Sequence, residues 1–385
     1  MKGGVMAEVA KEEVFKKGLE GVVAGDSSIC SVQGDVGKLY YRGYSIGDLA
    51  ANCSFEEVTY LLLYTRLPTK QELKAFRKTL VGQMKLPKHV LAVLKKLPKE
   101  TTPMEALRTG ISALSVKEPE ALGRPVEEQL PICVNLIAKF PAVVAAYHRI
   151  RNGQKPVSPK KSMGYAANFL YLLNGRAPTP EEESVVDADF VLHAEHSFNA
   201  STFAVRVTVS TLSDMYSAMT TGIGVLKGPL HGGAAQEVMV MLEKIDNPDK
   251  VDSFVRDALV KHEKIMGIGH RIYKVYDPRA KIIKARVEAL SRQKGDTRWY
   301  TMLVKIEEIM AREKHLYPNV DFYSAVVYKL LGLPIDMYSP MFAIARSAGW
   351  SAHAVEQYSD NRLIRPVDHY VGPIDLQFVP INERH

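Results

Sequence analysis

Cysteine is scarce in this 385-residue chain: Cys30, Cys53 and Cys133 lie far apart, odd in number and without a CxxC pair. That excludes a disulfide-stapled scaffold and a zinc ribbon, and points to a reducing compartment. Strand signals are also few, the clearest being GDVGKLYYRG at 34–43, a short hairpin-like piece. No run reads as long enough to span a membrane. The opening MKGGVMAEVAKEEVFKKGLE has acidic residues and no apolar h-region, so neither a signal nor a transit peptide is read there. A cytoplasmic protein is expected. Repeats and low-complexity segments are missing as well. The net charge of +7, from 50 Lys+Arg against 43 Asp+Glu, is spread along the sequence without aromatic interleaving, which argues against a nucleic-acid footprint. It is enough to favour acidic metabolites by steering. The densest basic run, KLPKHVLAVLKKLPKE (85–100), sets its lysines around an apolar VLAVL stripe and reads as a solvated helix face.

What the chain has in quantity is helix punctuation. Ser54/Glu57, Thr69/Glu72, Thr102/Glu105 and Thr179/Glu182 are capping boxes, each followed by a helical pattern, and Pro103 and Pro180 stand at first helical positions. Asn174-Gly175 closes one helix, and Gly332 followed by Pro334 closes another. With 46% hydrophobic and 24% charged residues, the composition is that of a globular protein. The expected fold is all-α, multi-helical, with a small N-terminal β element. Charge density rises after Gly232, which suggests a smaller inserted domain over 233–332, the larger domain being formed by 1–232 and 333–385.

Four stretches can carry chemistry. In DFVLHAEHSFNASTF (189–203), His193 and His196 are three apart and are expected on one helix face, with His196 near the helix end. In LKGPLHGGAAQEV (226–238), His231 sits on a turn beside a helix N-terminus, a place that favours a neutral imidazole able to donate to a developing oxyanion. GIGHRIYKVYDPRA (267–280) sets His270 behind two glycines and ahead of Arg271, Lys274 and Arg279, cations suited to an acidic ligand. It is no dinucleotide fingerprint, because Ile272 stands where a third glycine belongs and no strand precedes it. In YPNVDFYSAVVYKLLG (317–332), Asn319 caps a helix whose first turn holds Asp321 in apolar company, and Arg346 lies inside the apolar MFAIARSAGW, where a guanidinium needs a carboxylate partner. Arg365 precedes Pro366 near the C-terminus. Taken singly, each is as readily a core histidine, an exposed turn, a solvated helix face or a dipole-complementing acid. Taken together they are three acid–base groups, two of them on glycine-flanked turns, with arginines fit to clamp a polycarboxylate.

These residues, with SFEEVTYLLLY, PMEALRTGISAL and FAIARSAGWSAHAVEQ in the same order, give a chain that resembles the citrate synthase family in its shorter archaeal and bacterial form. The resemblance covers nearly the whole sequence. It implies an all-α, two-domain homodimer that closes over oxaloacetate and acetyl-CoA, the latter as co-substrate, with no permanently bound cofactor and no metal. Asp321 would be the base, His231 the neutral donor to the enolate oxygen, and His270 the group polarising the ketone. His196, Arg279 and Arg346 would hold oxaloacetate or citrate, and Arg365 would come from the partner subunit. Lys264, Ile265, Met266, Gly267 and Ile268 would contact CoA, and Lys274 would meet its phosphates.

Departures from the family pattern are Thr102 where a histidine often precedes Pro-Met, HGGAAQE for HGGANE, Ser197 after His196, and Ile268 in place of an aromatic. The long N-terminal extension of the NADH-inhibited form is not seen, and no such regulation is expected. Two alternatives stand beside this reading. One is 2-methylcitrate synthase, acting on propionyl-CoA. The other is a metal-binding helical protein built on His193, His196 and His231.

Overall fold

The computed structural model describes residues 16–117 and 125–384. Most of the opening segment read for targeting signals therefore lies outside the described residues. Three short antiparallel strands, β1 (Cys30–Gln33), β2 (Lys38–Tyr41) and β3 (Tyr44–Ser45), form the small sheet, with β2 in the middle. Everything else regular is helical. The first half of the chain supplies α1 (Ile46–Asn52), α2 (Phe55–Tyr64), α3 (Lys70–Gln83), α4 (Lys88–Lys96), α5 (Pro103–Leu114), α6 (Val126–Arg151), α7 (Tyr165–Asn174) and α8 (Pro180–His193). The second half supplies α9 (Ala200–Ser210), α10 (Met215–Leu226), α11 (Ala234–Ile245), α12 (Val251–Val260), α13 (Pro278–Lys294), α14 (Arg298–Lys314), α15 (Val320–Leu330) and α16 (Tyr338–Ser359). The expected all-α class is what the chain adopts.

Helix entries follow the local rules. At Ser54, Thr69, Thr102 and Thr179 both arms of the capping box form, so four helix starts satisfy their free N–H groups from within four residues. In the 85–100 run, Val90 and Leu94 are buried while the lysines face out, as the apolar stripe required. The core is organised around α16, which is buried on nearly all sides and packs against α2, α6, α8, α9 and α10.

One expectation fails. By length and composition α6 is apolar enough, over an 18-residue window, to cross a membrane. Lys139, Asn135 and two internal prolines break up its sequence and hide the run from a quick reading. Of that window 78% is buried inside the protein, so α6 is a core helix, and its apolar surface is spent on neighbouring helices.

A second correction concerns the histidine pair. Helix α8 stops at His193, and the chain then turns through Ser197, which holds a left-handed φ of 54°, before Asn199 caps α9 by accepting from the Thr202 N–H. His193 and His196 thus do not share a helix face. The turn is possible because α16 passes close over it at Gly349, whose N–H donates to the Ala194 carbonyl (3.1 Å). A Cβ at Gly349 would collide with that carbonyl and with Glu195. Gly349→Ala is therefore expected to destabilise the protein by about 1–3 kcal/mol, the usual range for overpacking a core. Denaturant unfolding measures it, and an unchanged midpoint would mean that the helix and turn separate at no cost.

Candidate active site

A cleft of about 490 Å³ gathers residues from five separate parts of the sequence, among them His196, His231, His270, Arg279, Asp321 and Arg346. The turn after α8 brings His196, and the turn before α11 brings His231. The loop before α13 brings His270, the first turns of α13 and α15 bring Arg279 and Asp321, and α16 brings Arg346.

Two of the three cleft histidines, His270 and His231, are fixed in opposite tautomers by backbone donors. Nδ1 of His270 accepts from the N–H groups of Ile272 (2.9 Å) and Tyr273 (3.2 Å), which leaves the proton on Nε2. For His231 it is Nε2 that accepts, from the Ser201 N–H (3.4 Å), with the Ser201 hydroxyl 2.8 Å away, so Nδ1 carries the proton. Trp350 holds that hydroxyl in turn by donating from Nε1 (3.1 Å). Burial, reinforced by Arg346, pushes the His231 pKa down to about 4; burial, reinforced by Arg279, does the same to His270. Both imidazoles are neutral N–H donors at physiological pH. His196 is pushed well below its ordinary value, by burial first and by Arg279 second, and its Nε2 meets the Tyr273 hydroxyl at 3.2 Å.

Asp321 is the complement of these donors. Burial raises its pKa, against the pull of His193 and Arg279, so it is a stronger base than a free aspartate. His193 does not face the cleft. Its Nδ1 is held by the Asp189 backbone carbonyl (2.9 Å) and carboxylate (3.4 Å), and Asp189 also accepts from the Ser324 and Tyr328 hydroxyls. Burial works against charge on His193, but Asp189 overcomes it and leaves the imidazole pKa above its ordinary value. Arg279 is 4% exposed and already paired with Asp277 through Nη2 (2.8 Å) and Nε (3.1 Å). Arg346, 1% exposed, donates from Nε to the His193 carbonyl (2.7 Å) and lies over the Phe342 ring.

The arrangement is one carboxylate base, two neutral N–H donors and two buried guanidinium groups around one cavity. Comparison with known proteins shows which family the chain belongs to. The family model described as citrate synthase, C-terminal domain, matches residues 18–367. A citrate synthase from Haloferax volcanii is 49% identical over 96% of this chain and 99% of its own. The solved ternary complex of carboxymethyl coenzyme A and oxaloacetate with citrate synthase from Thermoplasma acidophilum superposes with a TM-score of 0.90, at 36% identity, covering 96% of this chain and all of that one. The chain belongs to the citrate synthase family. Its members are acyl-transferring enzymes, and a 2-methylcitrate synthase from Corynebacterium glutamicum is also similar, 40% identical over 96% of this chain and 98% of that protein.

Other sequence-predicted residues of this citrate synthase family chain lie apart from the cavity. Gly269 and His270 line it, but Lys264, Ile265, Met266, Gly267, Ile268 and Lys274 do not, and Ile265 is buried. Gly267 (φ 76°) is required by packing, since a Cβ there would press on Val238 and Phe322; Gly269 (φ 87°) faces open space. Arg365 is exposed on the C-terminal segment and reaches no cleft of its own chain. No three His, Cys, Asp or Glu side chains among the described residues converge as metal ligands, so the alternative built on His193, His196 and His231 has no geometric support. Residues the sequence reading missed are Ser201 and Trp350 behind His231, Tyr273 between His196 and His270, and Asp277 behind Arg279. Only Asp277 has a visible signal, the Asp-Pro-Arg spacing that marks a helix cap.

The depressed imidazoles give a pH signature. Each histidine binds a proton near pH 6.5 when unfolded and near pH 4 when folded, so its contribution is full above 6.5 and drains away as pH falls from 6.5 to 4. Between pH 7 and pH 5 the loss is roughly 2 kcal/mol per imidazole. Urea unfolding of wild type and of His231→Gln/His270→Gln at the two pH values should show a flatter dependence in the variant. Equal slopes would mean that the two rings are not held neutral.

Proposed function

We propose that this protein condenses acetyl-CoA with oxaloacetate and hydrolyses the resulting citryl-CoA to citrate and CoA. The observation that carries the reading is the meeting in one cleft of Asp321 and two neutral imidazoles whose free N–H groups are set by backbone donors. Asp321 takes a proton from the acetyl methyl group while His231 Nδ1–H donates to the thioester oxygen, so charge never accumulates unsupported on the enolate. The methyl carbon then attacks the ketone carbon of oxaloacetate. His270 Nε2–H donates to the ketone oxygen, which becomes the hydroxyl of citryl-CoA, and water cleaves the thioester. His196, Arg279 and Arg346 hold the oxaloacetate carboxylates, and burial of both arginines makes those contacts strong. Coenzyme A lies along 264–268 with its phosphates near Lys274, brought to the cleft when the 233–332 domain closes on the larger one. Support for closure comes from the cleft itself, walled on one side by 196–200 and 230–231 and on the other by 269–272 and 319–321. The three free cysteines accord with a cytoplasmic location.

A second reading, 2-methylcitrate synthesis from propionyl-CoA, is favoured by the 40% identical Corynebacterium relative. One methylene is worth only about 1–3 kcal/mol of discrimination, so donor preference needs measurement. Oxaloacetate-dependent release of free CoA should proceed with a higher kcat/KM for acetyl-CoA than for propionyl-CoA, and the reverse order would give the enzyme to the second reading. Asp321→Asn should lower kcat by about a thousandfold or more with the fold retained. Wild-type turnover in that variant would end the mechanism.

The active unit in this proposal is a homodimer. After α16 the chain runs extended and exposed, and Val367, Tyr370, Val371, Ile374, Leu376 and Phe378 are each more than 60% exposed. So much apolar surface in water argues for docking on a second copy, which would carry Arg365 to the partner's cleft. Arg365→Ala and Asp321→Asn should each be nearly inactive alone, yet regain activity when unfolded and refolded together, because each hybrid dimer has one site with both residues intact. No recovery on mixing would place Arg365 outside the partner's site.

A further inference from the structure

Away from the active cleft, and sharing no lining residue with it, a groove of about 830 Å³ runs between α3 and the 161–164 segment that leads into α7. Lys70, Lys74 and Lys78 follow one another at four-residue spacing along one row of α3, a span of about 12 Å. Leu73, Arg77 and Val81 form the adjacent row, and Lys161 and Met163 stand on the opposite wall.

Elsewhere the chain pairs many of its lysines, as in Lys227–Glu105, Lys284–Glu307, Lys294–Glu182 and Lys329–Glu243. Here it does not. Among the described residues, Lys70, Lys74, Lys78 and Lys161 meet no carboxylate. The acids nearest by are committed. Glu72 is turned to Arg66 and to its own capping box. Glu56 is 2% exposed, pairs with Arg77 at 3.3 Å and accepts from the Tyr165 N–H. Glu183 lies behind Gly164 and next to Glu56. Stacked like charges at i, i+4 cost a helix stability, so the row holds a repulsion that a multivalent anion would relieve.

Helix geometry adds to this. Gly82 lines the groove in the last turn of α3, and a Cβ there would meet nothing within 4 Å, so the groove has open space at that end. The volume lies in the range of small-molecule sites, and the partly buried Leu73 and Met163, with buried Val81 beneath them, give the groove an apolar floor between its cations.

We propose that this groove is a second small-molecule site, which binds a compound carrying two or more phosphate groups with its apolar part seated on Leu73, Val81 and Met163. A nucleoside polyphosphate has that chemistry. The inference is independent of the condensation reading, because it is tested by binding and not by turnover.

Titration calorimetry on the full-length protein, with inorganic tripolyphosphate and with guanosine triphosphate as separate probes, decides it. Both should bind, with affinity falling as KCl rises, and the nucleotide should bind more tightly. The double variant Lys74→Glu/Lys78→Glu should weaken both by at least about tenfold, raise Tm slightly by relieving the repulsion, and leave CoA release unchanged. Lys74→Gln/Lys78→Gln should fall between the two proteins. Absence of binding, or binding equal in wild type and the charge-reversed protein, would overturn the site. Equal affinity for the two probes would overturn the apolar seat.

Discussion

One buried carboxylate holds the architecture of the cleft together. Asp277, 1% exposed, caps α13 and accepts from the Arg279 backbone N–H (3.0 Å) and from its guanidinium. The same carboxylate accepts from the N–H of Val320, the first residue of α15, at 3.3 Å. A cation that lines the cleft and the helix bearing Asp321 are therefore fastened to the same two oxygens. Burial opposes charge on Arg279, and Asp277 more than restores it. A pair of this kind adds little net stability, since desolvating both ions offsets most of their attraction. What it contributes is position: with Asp277 neutral, a buried guanidinium would stand unpaired and the start of α15 would lose an anchor.

A second set of ties makes the His270 side of the cleft a unit. Gly269 donates to the Tyr317 carbonyl (2.8 Å), Asn319 donates from its backbone to the Gly267 carbonyl (2.9 Å), and its side-chain amide donates to the Gly269 carbonyl (3.0 Å). His270 and Asp321 are thus pinned through the three residues that precede α15. The turn between β1 and β2 serves the same purpose from the other side: the Lys274 N–H donates to the Gly34 carbonyl (3.1 Å), and a Cβ at Gly34 would strike the Ile272 carbonyl. His231 and Arg346 belong to a different set of elements, held through Ser201, Trp350 and the His193 carbonyl, and His196 links the two sets by meeting the Tyr273 hydroxyl. A motion that narrows the cleft would change distances between the two sets and leave each internally fixed.

How much of this was legible depends on the range of the interaction. Capping boxes are complete within four residues, and all four were readable at Ser54, Thr69, Thr102 and Thr179. The hairpin-like piece was readable for the same reason, although its first strand begins earlier, at Cys30. His231, His270 and Asp321 could be singled out because turn and cap signals surround each of them. Their tautomers could not be read. The donor to His231 comes from Ser201, thirty residues away, and only the folded chain brings it there. The histidine pair failed because spacing implies a shared face only while the helix lasts, and contact with Gly349 of α16, far along the chain, accompanies its end at His193. Nor did the sequence disclose that Gly267 is an interior packing residue while Gly269 alone opens on the cleft. Both are simply glycines until Phe322 and Val238 are in place.

The neutrality of the two imidazoles bears directly on how an aspartate could abstract so weakly acidic a proton. Were His231 or His270 cationic, its charge would pull the Asp321 carboxylate down and make it a poorer base. Instead backbone N–H groups, which carry no net charge, orient both rings, and burial keeps them from taking a second proton. Permanent positive charge in the cleft comes from buried Arg279 and Arg346 and from Arg271 at its exposed edge, and Arg279 is largely answered by Asp277. In the proposed reaction the carboxylate so keeps its raised pKa until substrate arrives, and each histidine offers a hydrogen bond only to the oxygen on which charge develops. A donor whose proton is not already acidic has the closest match to an enolate of similar basicity, so the same burial that strengthens the base also tunes the donor.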